Sequence, residues 1–224
     1  MKRASTVLVL ALVSTAAALG VAQAAQTDPA RLTAISGTND SYAISLTDSS
    51  GAVVNHLGPG TFTIAVNDGS SQHNFHLVGP GVDRATSVPA SGDVTWSVAL
   101  ANGYYRFLCD PHVASMHGDF TVGSGRRPLS GSVSPTRKLT LRNSFGLTVR
   151  EMVSDHYLVT VKDRSKTDNF RLRGPGVNKA TGVAFKGTVR WPLTLKEGVY
   201  TFSSDARRSV RRSIRVTGPP VWGT

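Results

Sequence analysis

The sequence predicts an all-β chain built from two tandem Greek-key β-sandwiches. Three observations carry that prediction. Short runs such as TFTIAV, HNFHLV, VTWSVAL, YYRFLC and GDFTV alternate with period two and are rich in β-branched and aromatic residues. Turn signals separate them (LGPG, NDGSS, GPGV, ASGD, ANG), and no amphipathic stretch reaches helix length. The chain also repeats itself. NFHLVGPGVDRATSVPASGDVTW at 74–96 and NFRLRGPGVNKATGVAFKGTVRW at 169–191 share thirteen of twenty-three positions at a constant offset of 95. That offset runs without a gap from Tyr42/Arg137 to Cys109/Ser204. So long a period marks two similar domains and not a short solenoid repeat. Several strands within each unit suit a sandwich.

Taken in order, residues 1–24 read as a signal peptide. Lys2 and Arg3 form a positive start, Val7 to Leu19 an apolar core, and Ala22-Gln23-Ala24 a small-residue cleavage site, which argues for removal and against a retained anchor. No later stretch is long and apolar enough to span a bilayer as a helix, so no transmembrane segment is expected in the mature chain. The expected location is outside the cytoplasm, periplasmic, secreted or at the cell envelope. Residues 30–124 form the first domain. Residues 125–136, within GSGRRPLSGSVSPT, read as a linker from their Gly, Ser and Pro content. Residues 137–218 form the second domain. Trp96 and Trp191, at matching positions, are expected in the two cores, and the GPGV turns are expected to be structural.

Charge is divided unevenly. Residues 26–125 hold three basic and eight acidic residues, a net −5, whereas residues 126–224 hold twenty basic and six acidic residues, a net +14. The two halves must therefore meet different surroundings or partners.

An exported chain with one cysteine cannot form an internal disulfide. An exposed free thiol would oxidise in such a compartment, and ligation to a metal would protect it. Cys109 stands in CDPHVASMHG, residues 109–118. Alternation puts Tyr105, Phe107 and Cys109 on one strand face, and DPHVASMH forms the loop to the next strand. Pro111 restricts the backbone just before His112. A thiolate, an imidazole and a thioether in one short loop suit copper, and a second imidazole is needed from elsewhere. SQHNFHLV offers two. His73 is placed at a strand start, with Phe75 and Leu77 continuing into the core, and His76 faces away. Each of these residues also has a plain structural role open to it, since buried cysteine and methionine commonly serve packing alone. His56 is expected to be solvated, and His76 and His117 are expected at the surface.

With His73-Asn74 and the run Tyr105-x-Phe-x-Cys109-x-x-His112-x-x-x-Met116-x-Gly118-x-Phe120-x-Val122, the first domain resembles the cupredoxins of the plastocyanin and azurin type. The resemblance covers about Ile35 to Val122. It implies one type 1 copper ion held by His73, Cys109, His112 and Met116, with His117 next in the chain to the axial position. It implies that Asn74 ties the two ligand-bearing loops together near the cysteine sulfur. It also implies an apolar rim around His112, which Val113 and Ala114 suit, where electrons pass.

The second copy has lost the ligands and kept the framework. His73 aligns with Asp168, Cys109 with Ser204 and His112 with Arg207, and Met116 falls near Arg211. No copper is expected there. Arg207, Arg208, Arg211 and Arg212 in DARRSVRRSIRV suggest a docking surface for an acidic redox protein or an anionic envelope surface. A solvated charge face would look the same. The run has no interleaved aromatics, so nucleic acid is not expected as a partner.

The leading expectation is a blue copper electron carrier. A copper-binding or delivery protein would use the same ligands, with the basic domain as a docking or adhesion module. Oxidase and nitrite reductase activity are not expected, because Cys109 is flanked by Leu108 and Asp110, no H-x-H occurs, and His156 is the second domain's one histidine. The chain is therefore expected not to be an enzyme.

Overall fold

The computed structural model describes residues 29–207 and 209–218. The expected signal peptide and Arg208 lie outside the described residues. The first domain comprises β1 (Ala30–Ser36), β2 (Ile44–Asp48), β3 (His56–Leu57), β4 (Gly60–Asp68), β5 (His76–Gly79), β6 (Val82–Ala85), β7 (Gly92–Leu100), β8 (Gly103–Leu108) and β9 (His117–Val122). The second comprises β10 (Arg127–Val133), β11 (Leu139–Arg142), β12 (Glu151–Val153), β13 (Asp155–Asp163), β14 (Arg171–Gly174), β15 (Val177–Ala180), β16 (Gly187–Leu195), β17 (Gly198–Ser203) and β18 (Arg211–Thr217).

Each domain is a cupredoxin-like β-sandwich. In the first, a four-stranded sheet ordered β2-β1-β4-β7 faces a five-stranded sheet ordered β3-β9-β8-β5-β6. The second repeats this as β11-β10-β13-β16 and β12-β18-β17-β14-β15. Alternation buries Phe62, Ile64 and Val66 of β4 and, in the second domain, Tyr157, Val159 and Val161 of β13. Trp96 and Trp191 join their cores as expected, each in a ring cluster with Phe75 or Phe170. The repeated GPGV turn has a packing reason. A Cβ on Gly79 would lie 2.1 Å from the Tyr105 ring, and one on Gly174 would lie 2.2 Å from Tyr200. Those tyrosines anchor the turns, each hydroxyl donating to the turn proline's carbonyl at 3.0 Å.

Two expectations need correction. Most of the stretch 125–136 is not a linker: Arg127–Val133 is strand β10, running parallel to β13. Its small residues misled because they are packing choices, Gly131 lying where a Cβ would sit 3.1 Å from the Phe170 ring. The strand after His73 also starts late, at His76, so His73, Asn74 and Phe75 belong to the loop that enters it.

The domains meet at the outer face of β8 and β9. Arg127 is buried there. Its guanidinium pairs with Asp119 and Asp155, the Asp155 contact being 2.7 Å, and donates to the Asn55 carbonyl at 2.9 Å. The loop after β11 inserts Phe145, whose ring lies 4.2 Å from that of His117 and under the Arg106 guanidinium. The Ser144 hydroxyl meets Tyr104 Oη at 2.5 Å.

Candidate metal centre

His73, Cys109 and His112 converge at one end of the first sandwich, and their donor atoms all lie within 4.8 Å of one another. The His73 and His112 Nδ1 atoms are 3.0 Å apart and stand 3.7 and 3.6 Å from the Cys109 sulfur. Donors so spaced fit a shell about 2 Å from a common centre, the distance at which imidazole and thiolate bind metals. Two imidazoles and a thiolate suit copper or zinc, and they do not suit magnesium or calcium. The residues therefore fit a metal ion, and copper among the candidates.

Local folding produces this convergence. Cys109 follows the last residue of β8 and is fully buried. A turn of 3-10 helix over Asp110–His112, with Pro111 inside it, brings His112 back beside the cysteine. The loop closes by backbone bonds: Met116 N–H donates to the His112 carbonyl at 2.8 Å, and Cys109 N–H donates to the Met116 carbonyl at 3.0 Å. Met116 is thus held beside Cys109 and is fully buried. His117 turns away. Its Nδ1 donates to the Val113 carbonyl at 2.8 Å while its ring packs on Phe145 in the domain contact.

Asn74 latches the two segments. Its Oδ1 accepts from Asp110 N–H at 2.8 Å and its Nδ2 donates to Asp110 Oδ2 at 2.8 Å. His76 extends the latch, with Nδ1 2.8 Å from Asp110 Oδ1 and Nε2 2.7 Å from Asp83 Oδ1. Burial pulls the His76 imidazole down, but the hydrogen bonds to Asp110 and Asp83 outweigh it and hold it above the usual histidine range. His76 is thus a bonded, part-buried residue and not the surface side chain expected. His56 departs likewise, being half-buried with Nδ1 2.9 Å from Thr121 Oγ1.

Two neighbours of the centre escaped the sequence reading. Tyr42 presents its ring edge-on to both imidazoles, at 5.1 Å from His73 and 4.9 Å from His112, while 62% exposed. Gly37, at φ +66°, leaves room for His73, since a Cβ there would lie 2.7 Å from His73 Cδ2. Tyr42 opens the ungapped repeat, and that was the one available sign. With Val113 and Ala114, both exposed, it rims His112.

The second domain holds an ion-pair cluster at the same place. Asp168, fully buried, accepts from Ser204 Oγ at 2.9 Å and from Arg207 Nε at 2.6 Å. Arg137, at the position of Tyr42, adds its Nε at 3.4 Å. Burial raises the Asp168 carboxyl, but the bonds from Arg207 and Ser204 overcome this and hold it below the usual range. The latch persists, Asn169 bonding Asp205 as Asn74 bonds Asp110. Arg171 replaces His76 and grips Asp205 with two nitrogens. Two expectations change here. Val210, not Arg211, takes the place of Met116, because Ser204 N–H donates to the Val210 carbonyl. Arg207 is turned inward to Asp168 and is not part of a free docking surface, whereas Arg211 and Arg212 are exposed on β18.

Comparisons with known proteins give the following. No family model and no curated protein matches the chain. Among solved structures it is similar to a multicopper oxidase, at 13% identity and TM-score 0.32, over 84% of this chain and 88% of that one. It is similar to the blue copper oxidase of Nitrosomonas europaea, at 10% identity and TM-score 0.32, over 83% and 85%. A copper-containing nitrite reductase from Thermus scotoductus shares 12% identity at TM-score 0.26, over 85% and 68%. These likenesses assign this chain no activity. They do correct the expectation that it is not an enzyme: the solved structures it is similar to are copper enzymes of the two classes set aside, so that exclusion is withdrawn.

Proposed function

We propose that the chain is an exported type 1 copper protein that passes single electrons, with His73, Cys109, His112 and Met116 holding one copper ion. The observation that supports this most is the convergence of two Nδ1 atoms and a buried thiol sulfur, 3.0 to 3.7 Å apart, from segments 36 residues apart in sequence. When bound, copper would supply a one-electron couple whose potential depends on the thiolate and its surroundings. The protein's own part is to fix the donors. Gly37 seats His73, the Asn74–Asp110 latch sets the cysteine segment, and the backbone bonds of Met116 close the loop. A framework of this kind changes little on gain or loss of an electron. The partly exposed His112, rimmed by Tyr42, Val113 and Ala114, is the surface nearest the centre and the reading's point of electron entry.

Anaerobic copper titration followed by visible and EPR spectra tests the reading. One equivalent should give intense thiolate-to-copper absorption with a narrow copper hyperfine splitting, and Cys109→Ser should abolish the colour. A colourless Cu(II) form would overturn it. Tight binding of Cu(I) alone, with transfer to a recipient, would favour copper delivery instead.

A further inference from the structure

The two domains share one outer face but differ in what covers it. On the first domain the outward residues of β8 and β9 are Tyr104, Arg106, His117, Asp119 and Thr121, and each meets the second domain. The partners are Ser144 for Tyr104, Phe145 for Arg106 and His117, Arg127 for Asp119 and Asp155 for Thr121. Register places Val199, Thr201, Arg211, Ser213 and Arg215 at the same positions of β17 and β18. Among the described residues none of these five has a side-chain partner, and Val199 is 57% exposed where Tyr104 is covered. Arg150 and Glu151 border the same groove as Val199 and Arg215.

The inserting loop is repeated too. Asn143 Oδ1 shapes the second-domain loop by accepting from Phe145 and Leu147 N–H. Asp48 Oδ1 shapes the first-domain loop by accepting from Ser50 and Ala52 N–H. That first-domain loop is exposed over residues 49–53 and carries an acid where its counterpart carries an amide. One chain therefore holds one filled junction, one free loop on a domain of net charge −5, and one free face on a domain of net charge +14.

We propose that chains associate head to tail, the acidic first domain of one copy docking through its Asp48–Val53 loop on the basic β17–β18 face of another copy's second domain. Such a junction is heterologous, so copies close into a ring or extend as a filament. The inference does not depend on copper, and loss of the blue colour would leave it standing.

Sedimentation velocity of the full exported chain tests it. At low salt the mass should rise with concentration beyond one chain, and roughly 0.5 M salt should weaken association at least about tenfold, because exposed charges are screened within a few ångströms there. Arg150→Glu with Arg215→Glu should leave single chains, and Asp48→Asn, which keeps the Oδ1 acceptor that Asn143 supplies in the other loop, should weaken association alone. Far-UV circular dichroism confirms that each variant is folded. Single chains at every salt and concentration would overturn the proposal, as would association that survives the charge reversals. Association that appears only when a polyphosphate is added would also overturn it, making the face a polyanion site.

Discussion

Tyr42 touches both candidate ligands and yet is largely exposed, so its ring shields the imidazole edges from solvent. Tyr42→Ala should leave the fold intact but let small anions such as azide reach the loaded centre, shifting the visible spectrum; Tyr42→Phe should behave as the parent. Gly37 acts from the other side. Gly37→Ala places a Cβ against His73 at a φ that favours glycine, so it should cost about 1 kcal/mol or more in a thermal melt and weaken copper retention. His76 contributes to the pH dependence. Its folded value is raised, so its bonds to Asp110 and Asp83 stabilise the fold fully below the unfolded histidine value. That contribution is lost as pH rises through the raised folded value. The advantage in melting temperature of the parent over His76→Ala should therefore shrink across that window. An NMR titration of the His76 ring should give a midpoint above that of a free histidine.

At the scale of elements, the strand runs, the repeat and the C-x-x-H loop with its upstream His-Asn were legible, because period-two burial and a constant offset are written in single positions. Other features were not. Strand β10 was hidden because Pro128, Ser130 and Gly131 look like loop residues until their partners on β13 are known. Tyr42 lies in an irregular segment with no periodic signal, and the His76–Asp110–Asp83 chain depends on three segments meeting. The clearest tertiary substitution is Asp168 with Arg207 in place of an imidazole pair. Arg207→Ala should lower the stability of the second domain by about 3 kcal/mol, the low end for breaking a buried pair, since Arg137 remains beside the carboxylate. Adding Asp168→Leu should recover part of that loss, and calorimetry distinguishes the two variants.

For the whole molecule, Arg127 is the pin between domains. Buried charge of this kind is costly to leave half-paired, and here two carboxylates and two carbonyls share the guanidinium. Arg127→Met strands Asp155 without its partner and should turn a single cooperative melt into two separate transitions. The chain's electrostatic polarity belongs to this scale as well. It was readable from composition alone, but which surface expresses it was not, since Arg207 is spent internally and, among the described residues, exposed cations lie on β13, β14, β15 and β16 as well as on β18.

The latch of Asn169 and Asp205 closes in a copy that has Asp168, Ser204 and Arg207 in place of the first domain's candidate ligands, by the same bonds as Asn74 and Asp110. The cradle is thus cast by polypeptide alone, and loading resembles setting a stone in a finished mount. Chelation should bleach the protein while amide exchange in both halves stays as slow as before.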